Sequence, residues 1–448
     1  MNTIRITKEQ FDILKKYLLS RKEESAAFLL AGYFYNSLGH NFAIREIMIP
    51  RDDEYNERTE IHLDVSAKFF NRVLSSAERT GTTIVQCHSH TFADYDLSYS
   101  ASDNYGESQS SQTIFDCLEK KPMASLLFGK NNVIGRFWNN SKNSPMKINQ
   151  IRILGKNIQI FEPEQTNSKL NTSVFDRQIK AFGIKGQQVL SSLKIGIVGL
   201  GGTGSSVAEQ LAREGIGDFL LIDHDKFEIS NLTRLYGSYH DTKKKPKVQI
   251  IKSNIEKINP KAIIEAVDDN VVSQKILQKL KNCDVIFSCT DNHTSRSVLN
   301  ELCYQYFIPV IDIGVGIDSD NEKISGGTVR SMLISPSLPC MYCTGIINSE
   351  QILNESLPPK ERKSRQKEGY VQGMQDDVPS VITFTTMAAT FGLTMFKDLY
   401  FNILDSKSTI ITLDLHSFTI NKLSASQRPE CVCKLRLAKG DYFPLSAP

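Results

Sequence analysis

Apolar residues in the first third of the chain come in short bursts: Phe28 to Ala31, Thr83 to Val85, Ser125 to Phe128 and Ile151 to Leu154. Runs this short, bounded by polar residues, predict strands rather than helices. The start differs. Phe11, Leu14 and Leu18 recur at helical spacing behind Thr7 and Gln10, a pair placed to form a capping box. Ala26 to about Phe161 therefore reads as mixed α/β around a sheet. Glu162 to Ser173 (EPEQTNSKLNTS) is almost wholly polar. It predicts a linker over 162–173 between a domain of 1–161 and another of 174–448.

Beyond the linker the rhythm changes. Lys194 to Leu200 (KIGIVGL) is a buried-strand run, followed by a glycine-rich turn and a helical pattern carrying Val207, Ala208, Leu211 and Ala212. Phe219 to Ile222, Val285 to Ser288 and Val310 to Ile313 supply further strands. Strands alternating with helices predict a parallel, doubly wound Rossmann-like α/β sheet. Pro358 to Glu368 (PPKERKSRQKE) interrupts the pattern with dense charge and reads as a surface loop.

Composition narrows the class. The 448 residues suffice for two or three domains. Lys plus Arg, 53, against Asp plus Glu, 50, leaves +3, too little excess for a nucleic-acid partner. No stretch approaches the roughly 18 apolar residues of a membrane helix, and Met1 to Glu24 has no apolar core of a signal peptide. A cytoplasmic location is expected. Nine cysteines in a reducing compartment are then better candidates for metal ligands than for disulfides.

Gly199-Leu-Gly201-Gly202-Thr-Gly204 follows a strand and opens a helix, the context a nucleotide fingerprint requires. Asp223 at the end of the second strand fits a ribose-binding acid. The residues after it separate a triphosphate from a dinucleotide. Asp225 leads into Asn231-Leu-Thr-Arg234 and then Lys245-Pro-Lys247, and cations beyond the ribose acid suit a departing pyrophosphate. Thr290-Asp291-Asn292 closes a strand where a carboxylate can hold Mg²⁺. Phe175-Asp-Arg177-Gln stands well before the first strand, free to reach elsewhere.

As an ordered set, these motifs resemble the ThiF/MoeB and ubiquitin-activating-enzyme superfamily over about Asn171 to Lys434. The resemblance implies ATP-dependent adenylation of the C-terminal carboxylate of a ubiquitin-like protein. It assigns Asp223 to the ribose, Asn231, Arg234 and Lys247 to the phosphates, and Asp291 to Mg²⁺. Arg177 would complete the ATP site of a second protomer, which implies a homodimer.

Cys340-Met-Tyr-Cys343 and Cys431-Val-Cys433 give four thiols, enough for a closed tetrahedral zinc site. The superfamily often carries a structural zinc here, with Cys-x-x-Cys where this chain has Cys-x-Cys. Many members also carry a nucleophilic cysteine between the two clips. This chain has none there, so direct transfer from the acyl-adenylate to the nucleophile of an acceptor or conjugating enzyme is expected.

His88-Ser-His90 follows the strand run around Val85, and alternate strand residues share a face, so both imidazoles can reach one metal. Asp103, three residues after Ser100, offers a carboxylate as third ligand. Two histidines and a carboxylate with an open position make a zinc site able to activate water. Glu24, directly ahead of the Ser25 to Gly32 run, is the candidate general base. The pattern resembles the JAMM (JAB/MPN) metalloprotease family over residues 1–160. That likeness gives Ser100 an oxyanion role and implies cleavage after ubiquitin-like C-termini. Nine residues separate His90 from Ser100, more than the family pattern has, and Glu23 is the neighbour that could replace Glu24.

Together the two resemblances imply a bifunctional enzyme that activates a ubiquitin-like tail with ATP and matures or deconjugates it with zinc. Fusions of this kind resemble those of bacterial ubiquitin-like operons, some linked to phage defence. Two rivals stay open. One is an adenylating or sulfur-transfer enzyme for a small carrier or peptide, with a metal-free first domain. The other is a non-catalytic scaffold.

Overall fold

Short apolar runs become strands in the computed structural model, which describes residues 1–448 except 94–95, 141–143, 163–171, 243, 359–360, 362–378, 406–407 and 446–448. The chain divides into two units. One comprises Met1–Thr166, Tyr304–Phe307 and Arg436–Pro444; the other comprises Asn167–Cys303, Ile308–Leu435 and Leu445–Pro448. Most of the expected linker, and most of the charged run from Pro358, lie outside the described residues.

The first unit opens with a strand, not the helix expected at the start: β1 (Thr3–Thr7), then α1 (Lys8–Leu18) behind the expected Thr7–Gln10 capping box. Five residues without a turn signal left β1 hidden. It continues with β2 (Ala26–Asn36), β3 (Gly39–Met48), the hairpin β4 (Tyr55–Arg58) and β5 (Leu63–Val65), α2 (Ala67–Thr80), β6 (Thr83–Ser89) and α3 (Ala101–Cys117). β7 (Met123–Phe128), β8 (Val133–Trp138), β9 (Met146–Lys147), β10 (Gln150–Leu154) and β11 (Gln159–Phe161) complete it. Nine strands form one sheet in the order β11-β10-β1-β3-β2-β6-β7-β8-β9. Ala27, Leu29 and Ala31 of β2 pack in one core with Phe11, Leu14 and Leu18 of α1. Ala26, Phe28 and Leu30 pack in another with Phe69 and Val73 of α2 and Ile114 of α3. Burial on both faces is why this strand reads as a continuous apolar run rather than an alternating one.

The second unit comprises α4 (Asp176–Ser192), β12 (Lys194–Val198), α5 (Gly202–Arg213), β13 (Asp218–Ile222), α6 (Lys247–Ile258), β14 (Ile263–Val267) and α7 (Gln274–Leu280). After these come β15 (Val285–Ser288), α8 (His293–Tyr306), whose last residues join the first unit, β16 (Val310–Asp320), β17 (Lys323–Ile334) and α9 (Ser349–Glu355). α10 (Ile382–Phe401), β18 (Ile410–Asp414), β19 (Thr419–Leu423) and α11 (Val432–Arg436) follow. The sheet order is β14-β13-β12-β15-β16-β17-β18-β19. Strands β14 to β16 are parallel, as expected, but β16 to β19 pair antiparallel, so the sheet is mixed. The switch is a tight turn at Asn321 and Glu322, both at positive φ, which returns the chain as a hairpin without a crossover helix. Order reverses between β12 and β15, and that reversal opens the crevice in which such sheets bind ligands.

No helix among the described residues is long and apolar enough to cross a membrane.

Candidate functional sites

The glycine-rich turn crosses the end of β12. Gly199 has φ +85, and a Cβ there would stand 2.6 Å from the Cys289 carbonyl oxygen. At Gly204 a Cβ would come within 1.9 Å of the Gly199 oxygen, so α5 could not pack on the turn. Gly201 differs: a Cβ would meet nothing within 4 Å. Protein packing does not demand glycine there, whereas a phosphate approaching the uncapped N-terminus of α5 would.

Asp223, just past β13, staples this turn. One carboxylate oxygen accepts from Leu200 N at 2.6 Å and the other from Asp225 N at 2.8 Å, and burial raises its pKa. Each oxygen keeps a lone pair for a ribose hydroxyl. Lys247, the first residue of α6, sets its Nζ 2.7 Å from Asp225 Oδ2, while its backbone N–H donates to the Asp225 carbonyl. Burial alone would raise the Asp225 carboxyl, but the ammonium more than offsets it.

Other expected residues are less engaged. Arg234 donates to the Ser230 carbonyl at 2.9 Å, and Asn231 accepts from Glu228 N at 3.2 Å, both within one local turn. Asp291 is exposed just beyond β15. Arg177, second in α4, has a side chain 93% exposed and only a 4.0 Å approach to Asp176.

Sequence reasoning missed what lies beneath Asp291. Asp312 of β16 is fully buried between Arg296 Nε at 3.1 Å and Arg330 Nη2 at 2.7 Å, and accepts from Ser288 Oγ at 2.8 Å. An aspartate inside an apolar strand was the available signal. Glu355 accepts from His293 N and Thr294 N, both at 2.8 Å, so its carboxylate caps the start of α8. Three further cysteines lie in the second unit: Cys303 in α8, and Cys283 and Cys289 on either side of β15.

The four clip cysteines converge and are buried. Cys340 Sγ is 3.3 Å from Cys431 Sγ and 3.6 Å from Cys343 Sγ, and Cys343 Sγ is 4.0 Å from Cys433 Sγ. Thiolates held about 2.3 Å from one tetrahedral zinc stand about 3.8 Å apart, so the donor set fits that ion. The neighbouring thiols, Cys433 foremost, pull the Cys340 thiol down, and backbone amides of Cys343 and Arg428 point at the sulfurs. Cys-x-Cys therefore closes the same cluster that Cys-x-x-Cys would.

In the first unit, sheet register assembles the third cluster. Ala26 of β2 pairs with His88 of β6, so Glu24 just ahead of β2 comes opposite His90 just beyond β6. Glu24 Oε1 lies 3.5 Å from His90 Nε2, while Glu23 is exposed. Asp103, in the first turn of α3, sets Oδ1 3.1 Å from His88 Nε2 and Oδ2 3.5 Å from His90 Nε2. One donor atom from each of His88, His90 and Asp103 falls within 4.8 Å of the others. His88 Nε2 is buried, with Asp103 Oδ1 beside it. Burial lowers His90 and pushes Glu24 up to about 7, while Asp103 raises His88 against its burial. Ser100 caps α3: its Oγ accepts from Asp103 N at 3.1 Å.

Residues 175–434, more than half of the chain, match the model of the ThiF family. The chain belongs to the ThiF family. The chain is 34% identical over 139 residues to the molybdopterin-synthase adenylyltransferase of Haemophilus influenzae, covering 31% of this chain and 57% of that protein. It is 33% identical over 199 residues to ubiquitin-like modifier-activating enzyme 5 of Gallus gallus, covering 42% of this chain and 48% of that protein. Among solved structures, Escherichia coli MccB with MccA-N7isoAsn is 20% identical with a TM-score of 0.48, over 63% of this chain and 78% of that one. The chain thus spans about half the length of the first two relatives.

Proposed function

We propose that the ThiF-family unit adenylates the C-terminal carboxylate of a small carrier protein or peptide. The observation that carries this reading is the open space above Gly201, beside the stapled Asp223 and next to the Asp225–Lys247 pair, at the sheet's switch point. Asp223 would hold the ribose, and the α5 N-terminus the phosphates. Lys247 and Arg234 would stabilise charge on the departing pyrophosphate, with Asp291 placed for Mg²⁺. A carboxylate oxygen of the carrier attacks the α-phosphorus, the bond to the β-phosphate oxygen breaks, and pyrophosphate leaves. No cysteine stands between the clips, so the acyl group passes to the nucleophile of a partner. The exposure of Arg177 suits a homodimer in which it reaches the other protomer's site. Relatives named for molybdopterin-synthase adenylylation and for ubiquitin-like modifier activation favour a ubiquitin-like or peptide carrier. Mass spectrometry of such a carrier after incubation with ATP should find an AMP adduct at its C-terminus; an unmodified carrier whose free tail is accepted by other ThiF-family proteins would count against the assignment.

A second reading concerns the first unit, and the convergence of His88, His90 and Asp103 favours it. We infer a zinc-dependent hydrolase of amide bonds at a carrier's tail. Zinc bound there would make a water nucleophilic near neutral pH. Glu24 would hold the water's proton and hand it to the leaving amine, and the Ser100 hydroxyl would donate to the oxyanion. Glu24→Ala should retain metal and lose cleavage of a carrier fused through its tail. Full-rate cleavage by that variant would remove the base assignment.

A further inference from the structure

The half of α3 that carries Ser100 and Asp103 has almost nothing apolar to hold it down. The whole helix buries Glu107, Ser111 and Ile114, of which only Glu107 lies in that half, and Tyr105 there is 73% exposed. The capping box ties Ser100 to Asp103 but ties neither to the sheet. One residue does. Arg136 of β8 is only 8% exposed, and its guanidinium donates to Glu107 Oε2 at 2.8 Å through Nε and to Asn104 Oδ1 at 2.5 Å through Nη1. The same guanidinium lies 3.6 Å from the centre of the Tyr99 ring, whose hydroxyl donates to the Ser125 carbonyl on β7. Trp138 Nε1 also donates to Glu107 Oε2, at 2.7 Å. Arg136 therefore grips positions 99, 104 and 107, and Ser100 and Asp103 sit inside that grip.

We propose that Arg136 and Glu107 are positioning residues for the His88–His90–Asp103 centre, fixing where the Asp103 carboxylate and the Ser100 hydroxyl stand relative to the two imidazoles. The proposal rests on the zinc reading of that centre. Its physical basis is that a buried, hydrogen-bonded ion pair defines one geometry, whereas a solvated helix end would sample several. A ligand that must first be ordered binds its ion more weakly, and partners that orient ligands typically contribute 10- to 100-fold in metal affinity.

The test uses the full-length protein, Zn²⁺ and Co²⁺. Zn²⁺ affinity at the histidine site is measured by competition with a chromophoric chelator in wild type, Arg136→Lys, Arg136→Met and Glu107→Gln. The His88→Ala/His90→Ala protein identifies which equivalent belongs to that site. The absorption spectrum of Co²⁺ at the site is recorded well below each variant's melting temperature, so that loss of global stability does not enter. We expect Arg136→Met to weaken the site by about 10- to 100-fold and to alter the Co²⁺ spectrum. Arg136→Lys, which keeps the charge but not the fork or the stacking, should fall between and stands in should Arg136→Met not fold. Folded Arg136 and Glu107 variants with wild-type affinity and spectrum would overturn the proposal. A wild-type protein with no histidine-dependent metal would instead overturn the zinc reading, and this inference with it.

Discussion

Asp312 carries its carboxylate into a fully buried strand position, where burial alone would raise its pKa; Arg296, Arg330 and Ser288 more than offset this and hold it below the usual carboxylate range. A depressed folded value means its stabilisation is present above the unfolded pKa of about 3.9 and disappears as pH falls through the folded value. Asp312→Asn should cost about 3–5 kcal/mol in urea unfolding near neutral pH, because two arginines lose their shared partner. The gap from wild type should close toward acid pH; a gap independent of pH would show that charge is not the cause. Lys247→Ala should lower the adenylation rate by about 10²–10³, the usual range for one donor to developing charge, with thermal stability nearly unchanged. Rates at the wild-type level would remove Lys247 from the phosphate site. At this scale the sequence was readable where a residue type has few alternative uses: paired cysteines, and histidines two apart beyond a strand. It named Glu24 but left Glu23 as a possible replacement, because what separates them is the β2–β6 register, which sets Glu24 against His90 and leaves Glu23 exposed.

Among elements, the β12–α5 turn separates packing from ligand binding within one motif. Gly204→Ala should destabilise the fold, since the new Cβ would meet the Gly199 oxygen at 1.9 Å and backbone must move. Gly201→Ala, in open space at φ −70, should leave the melting temperature unchanged yet weaken ATP binding in calorimetry. Equal ATP affinity in Gly201→Ala and wild type would show that no phosphate comes close there. The parallel part of this sheet was legible because helices interrupt its strands. β17 to β19 were not: β17 and β19 each follow the preceding strand by a short turn, and β19 is exposed throughout. β1 escaped notice for a similar reason, running straight into the capping box of α1.

For the whole molecule, the first unit gathers in Tyr304–Phe307 and Arg436–Pro444 as well as its N-terminal stretch, which no local pattern announces because such pairing is a property of the fold. Among the described residues, the four clip cysteines and the His88–His90–Asp103 set each offer donors that suit zinc, so purified protein should carry about two equivalents per chain. Elemental analysis should find one equivalent lost in the His88→Ala/His90→Ala protein and the other in Cys340→Ser. A folded wild-type protein with a single, cysteine-dependent equivalent would leave the first unit as a binding module. The central claim, that the ThiF-family unit activates a carboxylate with ATP, is tested most directly by ATP–pyrophosphate exchange. With a carrier bearing a free C-terminal tail, labelled pyrophosphate should enter ATP; removing the carrier should abolish the signal, and Lys247→Ala should cut it by about 10²–10³. Exchange that proceeds equally without any carrier, or that is unaffected by Lys247→Ala, would contradict the account.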